Sequence, residues 1–181
     1  QEEIGSQLRK MGIDPSRDVR KVIMTHLHTD HAGGMYHFPG TEILIDKKEF
    51  KTASGLTGIL GGYLPHHWPG WLKPTLITLP ENRFGPFKKS LPVTNDGKVR
   101  IVATPGHVAS HLSVIVEMDG LYYFIAGDAS YNQENMINLV RDGVSTGESL
   151  DTLQNIRTFA SEFPTIYLPS HDPDVPGRMA N

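Results

Sequence analysis

Thr25-His26-Leu27-His28-Thr29-Asp30-His31-Ala32-Gly33-Gly34 packs three histidines and an aspartate into six positions, directly after the apolar run Val22-Ile23-Met24. Imidazole and carboxylate are the side chains that hold zinc-like divalent ions. In an extended segment His26 and His28 would share a side, because strand side chains alternate. Asp30 and His31 fall where a new turn begins, so they address a second point in space. A surface loop merely rich in histidine is the bland alternative. The buried strand before the run and the Gly-Gly after it argue against that reading.

Three later segments repeat the design. Thr104-Pro105-Gly106-His107 follows an apolar run over residues 99–103. Gly127-Asp128 follows Leu121-Tyr122-Tyr123-Phe124-Ile125-Ala126, and Ser170-His171-Asp172 follows Thr165-Ile166-Tyr167-Leu168. Each strand-like run ends at one potential ligand, which is how a sheet delivers scattered residues to one place. Singly, His107 or His171 reads as a loop histidine and Asp128 as a turn former. Together the segments give a seven-ligand set: His26, His28, Asp30, His31, His107, Asp128 and His171. With no cysteine in the chain, disulfides and thiolate ligands are excluded and the set uses nitrogen and oxygen only.

The H-x-H-x-D-H run, the later T-P-G-H, the G-D and the final H resemble the metallo-β-lactamase fold superfamily. More narrowly, His26 to Gly34, Asp128-Ala129-Ser130-Tyr131 with Glu134-Asn135, and Ser170-His171-Asp172 resemble the N-acyl homoserine lactonases, which open signalling lactones. The resemblance implies an α+β fold, an αββα sandwich, here without the N-terminal strands of its first sheet. It implies two divalent metal ions, zinc first, with iron, manganese or cobalt also compatible with nitrogen and oxygen donors. His26, His28 and His107 would hold one ion, Asp30, His31 and His171 the other, and Asp128 would bridge them. Such ions bring the pKa of bound water to about 7, supplying hydroxide at neutral pH. Two divalent ions less two aspartates and one hydroxide leave a single positive charge, which suits an anionic intermediate. Asp30 and Tyr131 are the candidate catalytic side chains, Tyr131 as a hydrogen-bond donor to a developing oxyanion, worth about 3 kcal/mol when well placed. The implied substrate is a small-molecule lactone.

Two departures stand out. Family members carry a β-rich opening segment before the H-x-H-x-D-H run, whereas only about twenty residues precede it here, and the first residue is Gln1. The expectation is a single metallo-hydrolase domain over residues 1–181, the C-terminal portion of a longer one, whose exposed strand edges invite the missing segment or a second copy. Val108-Ala109-Ser110-His111 stands where the lactonases carry a second P-G-H, and His111 is read as structural.

The 181-residue chain is one domain's worth, 38% hydrophobic, with a net charge of −3 and interspersed signs. There is no basic footprint for nucleic acid and no run near the ~18 apolar residues of a membrane span. A cytoplasmic location is expected. Periodicity predicts helices over 2–11, 30–36, 47–52 and 149–163, the last with a stripe of Leu150, Leu153, Ile156, Ala160 and Phe163. Strands are predicted over 22–24, 41–46, 75–79, 99–104, 111–117, 121–126 and 165–168, with a tight turn at Asp119-Gly120. Residues 56–72 read as a substrate-side loop in which Ile59, Leu60, Leu64, Trp68 and Trp71 could receive an acyl tail. Met35, Phe38 and Met136 are weaker candidates, and covering the core is an equal reading for each. His66 and His67 read as solvated loop residues and His37 as a surface or helix-end residue. Other hydrolases on the same fold (a glyoxalase II-like thioesterase, a β-lactamase) and an iron-dependent oxidoreductase use similar ligand sets, and a metal-binding fragment without turnover is a further alternative.

Overall fold

The computed structural model describes residues 3–56, 58–143 and 145–180. It is a mixed α+β structure of two compact units, Gln1–Thr78 and Leu79–Asn181, each with its own sheet.

The first unit is built on three parallel strands, β1 (Lys21–Ile23), β2 (Glu42–Asp46) and β3 (Thr75–Ile77), in the order β1-β2-β3. Val22 lies opposite Ile43 and Ile45 opposite Leu76. Parallel pairing requires crossovers. Between β1 and β2 these are α2 (Thr29–Ala32) and a 3-10 segment over Gly33–His37; between β2 and β3 the main one is α3 (Lys47–Ala53). The middle strand is flanked on both edges, and Ile43, Leu44 and Ile45 are all buried, as a continuous apolar run requires. Asp46 then caps α3, its carboxylate accepting from the Lys48 and Glu49 amides at 2.8 and 3.1 Å.

The predicted helix at the chain's start is α1 (Ile4–Lys10); Glu2 lies outside the described residues. Its apolar Ile4 and, just past its end, Met11 are exposed. The helix leans instead on Gly5, where an added Cβ would lie 2.3 Å from the His37 ring. His37, at the end of the 3-10 segment, bonds Glu3 through Nε2 at 3.0 Å. Residues 56–72 form no long element, only two short 3-10 turns, and Thr57 lies outside the described residues.

The second unit carries five strands in the order β4-β5-β6-β7-β8. They are β4 (Ser90–Pro92), β5 (Val99–Ala103), β6 (Leu112–Met118), β7 (Leu121–Gly127) and β8 (Thr165–Pro169). Antiparallel pairing runs from β4 to β7, and β8 is parallel to β7. Asp119 and Gly120, with φ of 53° and 79°, make the hairpin turn between β6 and β7; paired left-handed residues match the twist of the strands they join. The β7-to-β8 crossover contains α4 (Gln133–Ile137) and α5 (Ser149–Glu162), and α6 (Val175–Met179) follows β8.

Leu153, Ile156 and Phe159 of α5 are fully buried with Phe87, Val102, Ile115, Phe124 and Tyr167. The Phe159 ring lies within 6.0 Å of those of Tyr122, Phe84, Phe87, Phe124 and Phe163. Each such side chain contributes about 1.5–3 kcal/mol by leaving water. The predicted stripe needs one correction. Leu150 is exposed, and Phe159 rather than Ala160 is the fully buried residue on that face. Strand β4 and helices α4 and α6 escaped the periodicity reading because three to five residues are too few to show a period. Pro92 is tolerated in β4 because that strand is the sheet's edge.

Candidate metal ligands

In the first unit β1 stops at Ile23, and the Met24 amide gives a last bond to Leu44 O at 3.0 Å. Residues 24–28 then leave the sheet, so strand alternation is not what gathers the histidines. Leu27 does so, as a doubly anchored pivot. Its side chain is fully buried, and its amide donates to Glu49 Oε1 at 2.9 Å, a buried carboxylate on α3. With Leu27 turned inward, the His26 and His28 ring centres lie 4.7 Å apart. His28 sits at the N-cap of α2, whose single turn carries Asp30 and His31. The His31 ring centre is 4.2 Å from that of His26, and its Nε2 is 3.5 Å from Asp30 Oδ2.

The loop over residues 56–72 supports this cluster from one side. Tyr63 places its ring 4.9 Å from that of His28. Burial, then the Glu49 carboxylate, pushes the Tyr63 phenol up, so it stays protonated and hydrogen-bonds Glu49. Gly62, at φ 86°, accepts the Thr29 hydroxyl at 2.9 Å, which ties the start of α2 to the loop. Thr25 Oγ1 engages His26 Nδ1 at 3.2 Å, which makes Nε2 the atom His26 can offer an ion.

In the second unit, β5, β7 and β8 each end within a few residues of one ligand: His107, Asp128 and His171. Asp128 Oδ2 is the common point, 3.6 Å from His107 Nε2 and 3.2 Å from His171 Nε2. Gly106 sets the approach of His107. Its φ is 152°, and an added Cβ would meet Ser149 Cα at 2.6 Å, at the first residue of α5. Ser170 N–H donates to Gly127 O at 3.0 Å, which ties the His171 loop to that of Asp128.

His111 is not placed as a ligand. It is buried and accepts the Asp128 amide at Nε2, 3.1 Å away. Nε2 is therefore bare and Nδ1 carries the proton, donated to Thr104 Oγ1 at 2.9 Å. Thr104 in turn gives its proton to Ser113 Oγ at 2.8 Å, and Ser113 donates to Ala126 O at 3.0 Å. The chain has one direction from end to end, and it fixes the Asp128 backbone.

Tyr131 lies three residues beyond Asp128. Its ring centre is 5.6 Å from that of His171 and 6.3 Å from that of His107, and it is 37% exposed. Below it the Tyr167 hydroxyl donates to Ser130 Oγ, and Ser130 donates to Asn132 O. Asp172 ties the His171 loop to α4, accepting the Gln133 amide at 2.9 Å and Arg178 Nη2 at 2.7 Å. Burial opposes ionisation of Asp172, yet the amides of Asp174 and Gln133 and the Arg178 guanidinium together hold its carboxyl below the usual range.

Motif reading overlooked Glu49 and Asp142, and it quoted Asp172 beside His171 without giving it a role. Asp142 accepts His107 Nδ1 at 2.9 Å from 35 residues away, and the only local signal was the Asp-Gly pair it opens, which reads as a turn. Met35, Phe38 and Met136 are buried, as the core-covering reading of each expects. In the 56–72 loop Leu56, Ile59 and Leu60 are exposed, Trp71 partly so, and Trp68 stacks on Phe50 at 5.6 Å. His66 and His67 are exposed.

The donor chemistry, imidazole nitrogen and carboxylate oxygen, suits divalent cations. Imidazolium rings 4.2 and 4.7 Å apart would repel, whereas neutral imidazoles at that spacing can direct lone pairs at an ion. In the second unit a carboxylate between two imidazoles is likewise a ligand arrangement. No helix among the described residues is long and apolar enough to cross a membrane.

A family model described as the Metallo-beta-lactamase superfamily matches residues 10–171. N-acyl homoserine lactonase AttM of Rhizobium radiobacter is 28% identical over 177 residues, covering 93% of this chain and 64% of the relative. An N-acyl homoserine lactonase of Bacillus sp is 26% identical over 174 residues, covering 95% of this chain and 63% of the relative. A solved N-acyl homoserine lactone hydrolase, with N-hexanoyl-L-homoserine bound at its catalytic metal centre, superposes with a TM-score of 0.75. At 24% identity over 96% of this chain and 64% of that one, it shows likeness of fold. The chain spans about 64% of the length of the curated relatives it matches.

Proposed function

The chain belongs to the Metallo-beta-lactamase superfamily, and on that premise we propose that it is a metal-dependent hydrolase that opens the lactone ring of N-acyl homoserine lactones. The observation that carries the reading is the second unit's arrangement: Asp128 Oδ2 is within 3.6 Å of both His107 and His171, and Tyr131 stands beside both rings. The relatives named as lactonases supply the substrate class.

In this proposal the seven side chains named by the family resemblance are the metal ligands, and the chain is one metallo-hydrolase domain. What supports it is the order inside each unit and a family match that runs through both. Divalent ions held there, zinc first, supply Lewis acidity toward a carbonyl and toward water. The protein's own groups do the rest. The Tyr131 phenol donates a hydrogen bond to the oxygen that gains charge as the ring opens. Asp30, the most exposed carboxylate of the set at 60%, is open to take and return a proton as well as to ligate. The exposed Leu56, Ile59 and Leu60 offer apolar surface to an acyl tail.

The test is hydrolysis by the purified, zinc-loaded protein of an N-acyl homoserine lactone, a glutathione thioester and a β-lactam, side by side. Ring opening of the lactone, lost on chelation and restored by metal, supports the proposal. Turnover of the thioester or β-lactam with none of the lactone refutes it.

A further inference from the structure

We propose that Asp142 is a positioning residue for His107: it holds the ring in the Nδ1–H tautomer, so that Nε2 presents its lone pair to a metal. The inference rests on the metal-dependent reading above and adds to it a residue that no motif marks.

The geometry lies wholly within the second unit. His107 Nδ1 is 2.9 Å from Asp142 Oδ2, and both side chains are almost fully buried, at 4% and 1% exposed. A carboxylate accepts and does not donate, so the proton of this bond sits on Nδ1. The opposite nitrogen, Nε2, is the one that faces Asp128, 3.6 Å away. One ring is thus divided between two carboxylates: Asp142 receives its N–H, and Asp128 shares the side where a cation would bind.

Asp142 is itself held. Ser145 Oγ donates to its second oxygen, Oδ1, at 2.5 Å, so each carboxylate oxygen has a partner. A buried carboxylate set on an imidazole in this way does more than fill space. It fixes ring rotation and tautomer and makes the other nitrogen a stronger ligand, an effect whose removal costs 10–100-fold in metal affinity. His107 also needs such a partner for a local reason. It follows Gly106, whose left-handed backbone leaves the loop direction set by contact with α5, and nothing in that contact decides the ring's tautomer.

The experiment reads tautomer and metal binding, not turnover. Long-range proton–nitrogen NMR of the metal-free parent protein, with His107 assigned by substitution, should show Nδ1 protonated and Nε2 bare. Asp142→Ala should lose that tautomer and bind zinc about 10–100-fold more weakly in chelator competition. Asp142→Asn, whose carbonyl can still accept from Nδ1–H, should keep the tautomer and lose less affinity. A purely structural role would lower thermal stability while leaving tautomer and affinity alone. Asp142→Ala with parental tautomer and zinc affinity within twofold overturns the proposal. So does a parent protein whose His107 carries its proton on Nε2, a result that needs no variant to fold. Failure of lactone turnover would count against the proposed function and leave both of these readouts intact.

Discussion

Replacing His111 by leucine should destabilise the metal-free protein by about 2–4 kcal/mol. The side chain is 1% exposed and lies between the Asp128 amide and Thr104 Oγ1. Leucine is near the ring in volume, so packing changes little. What is lost is an acceptor for a buried backbone N–H, which costs about 1–3 kcal/mol when left unmade. The bond to Thr104 adds about 1 kcal/mol; Thr104 can still donate to Ser113, so the chain is broken at one end only. Against a total stability of about 5–15 kcal/mol this is a large fraction. The assay is urea denaturation of the apo protein followed by far-UV circular dichroism, with thermal melting as a second reading. At about 2–4 °C per kcal/mol for a chain of this size, the melting temperature should fall by roughly 4–16 °C. His66→Ala, at an exposed loop position, serves as the control and should stay within about 0.5 kcal/mol of the parent. A leucine variant as stable as that control would refute the directed hydrogen-bond chain and the assignment of the neutral tautomer.

Gly106→Ala should destabilise by about 1–3 kcal/mol or more, because its Cβ would stand 2.6 Å from Ser149 Cα on α5 and its φ is 152°; denaturation midpoints check this, and an unchanged midpoint contradicts the placement of that loop. Asp172→Asn should cost about 1–3 kcal/mol at pH 7. The folded-state pKa of Asp172 is depressed, so its contribution is complete above the unfolded value near 3.9 and fades as pH falls through the folded one. The stability gap between parent and variant should therefore hold steady from pH 5 to 8 and shrink below about pH 4, as urea titrations at several pH values will show. Tyr131→Phe should lower kcat about 100-fold on a lactone while metal content measured by elemental analysis stays the same; an undiminished rate removes Tyr131 from the chemistry.

Much of the frame was legible because its signals are local. The β6–β7 hairpin announced itself through Asp119-Gly120 between apolar runs, and α5 through a stripe ended by Pro164. Where the reading failed or left two options, the local signal was ambiguous. Leu150 fits a helical stripe as well as Phe159 does, but only one of them faces the sheet. Met35, Phe38 and Met136 look equally suited to a pocket wall or a core until packing is known.

By itself the sequence determined the donor chemistry: three strand ends and one dense run, spelling only nitrogen and oxygen ligands, because residue type and strand period are written within a few positions. Tertiary structure decided how those donors are held. Asp142 reaches His107 across 35 residues, His111 reaches the Asp128 amide across 17, and His171 meets Asp128 across 43. No period in the chain encodes such pairings. They exist because parallel and antiparallel strands bring their ends together, and because a buried imidazole or carboxylate must find a partner once water is gone.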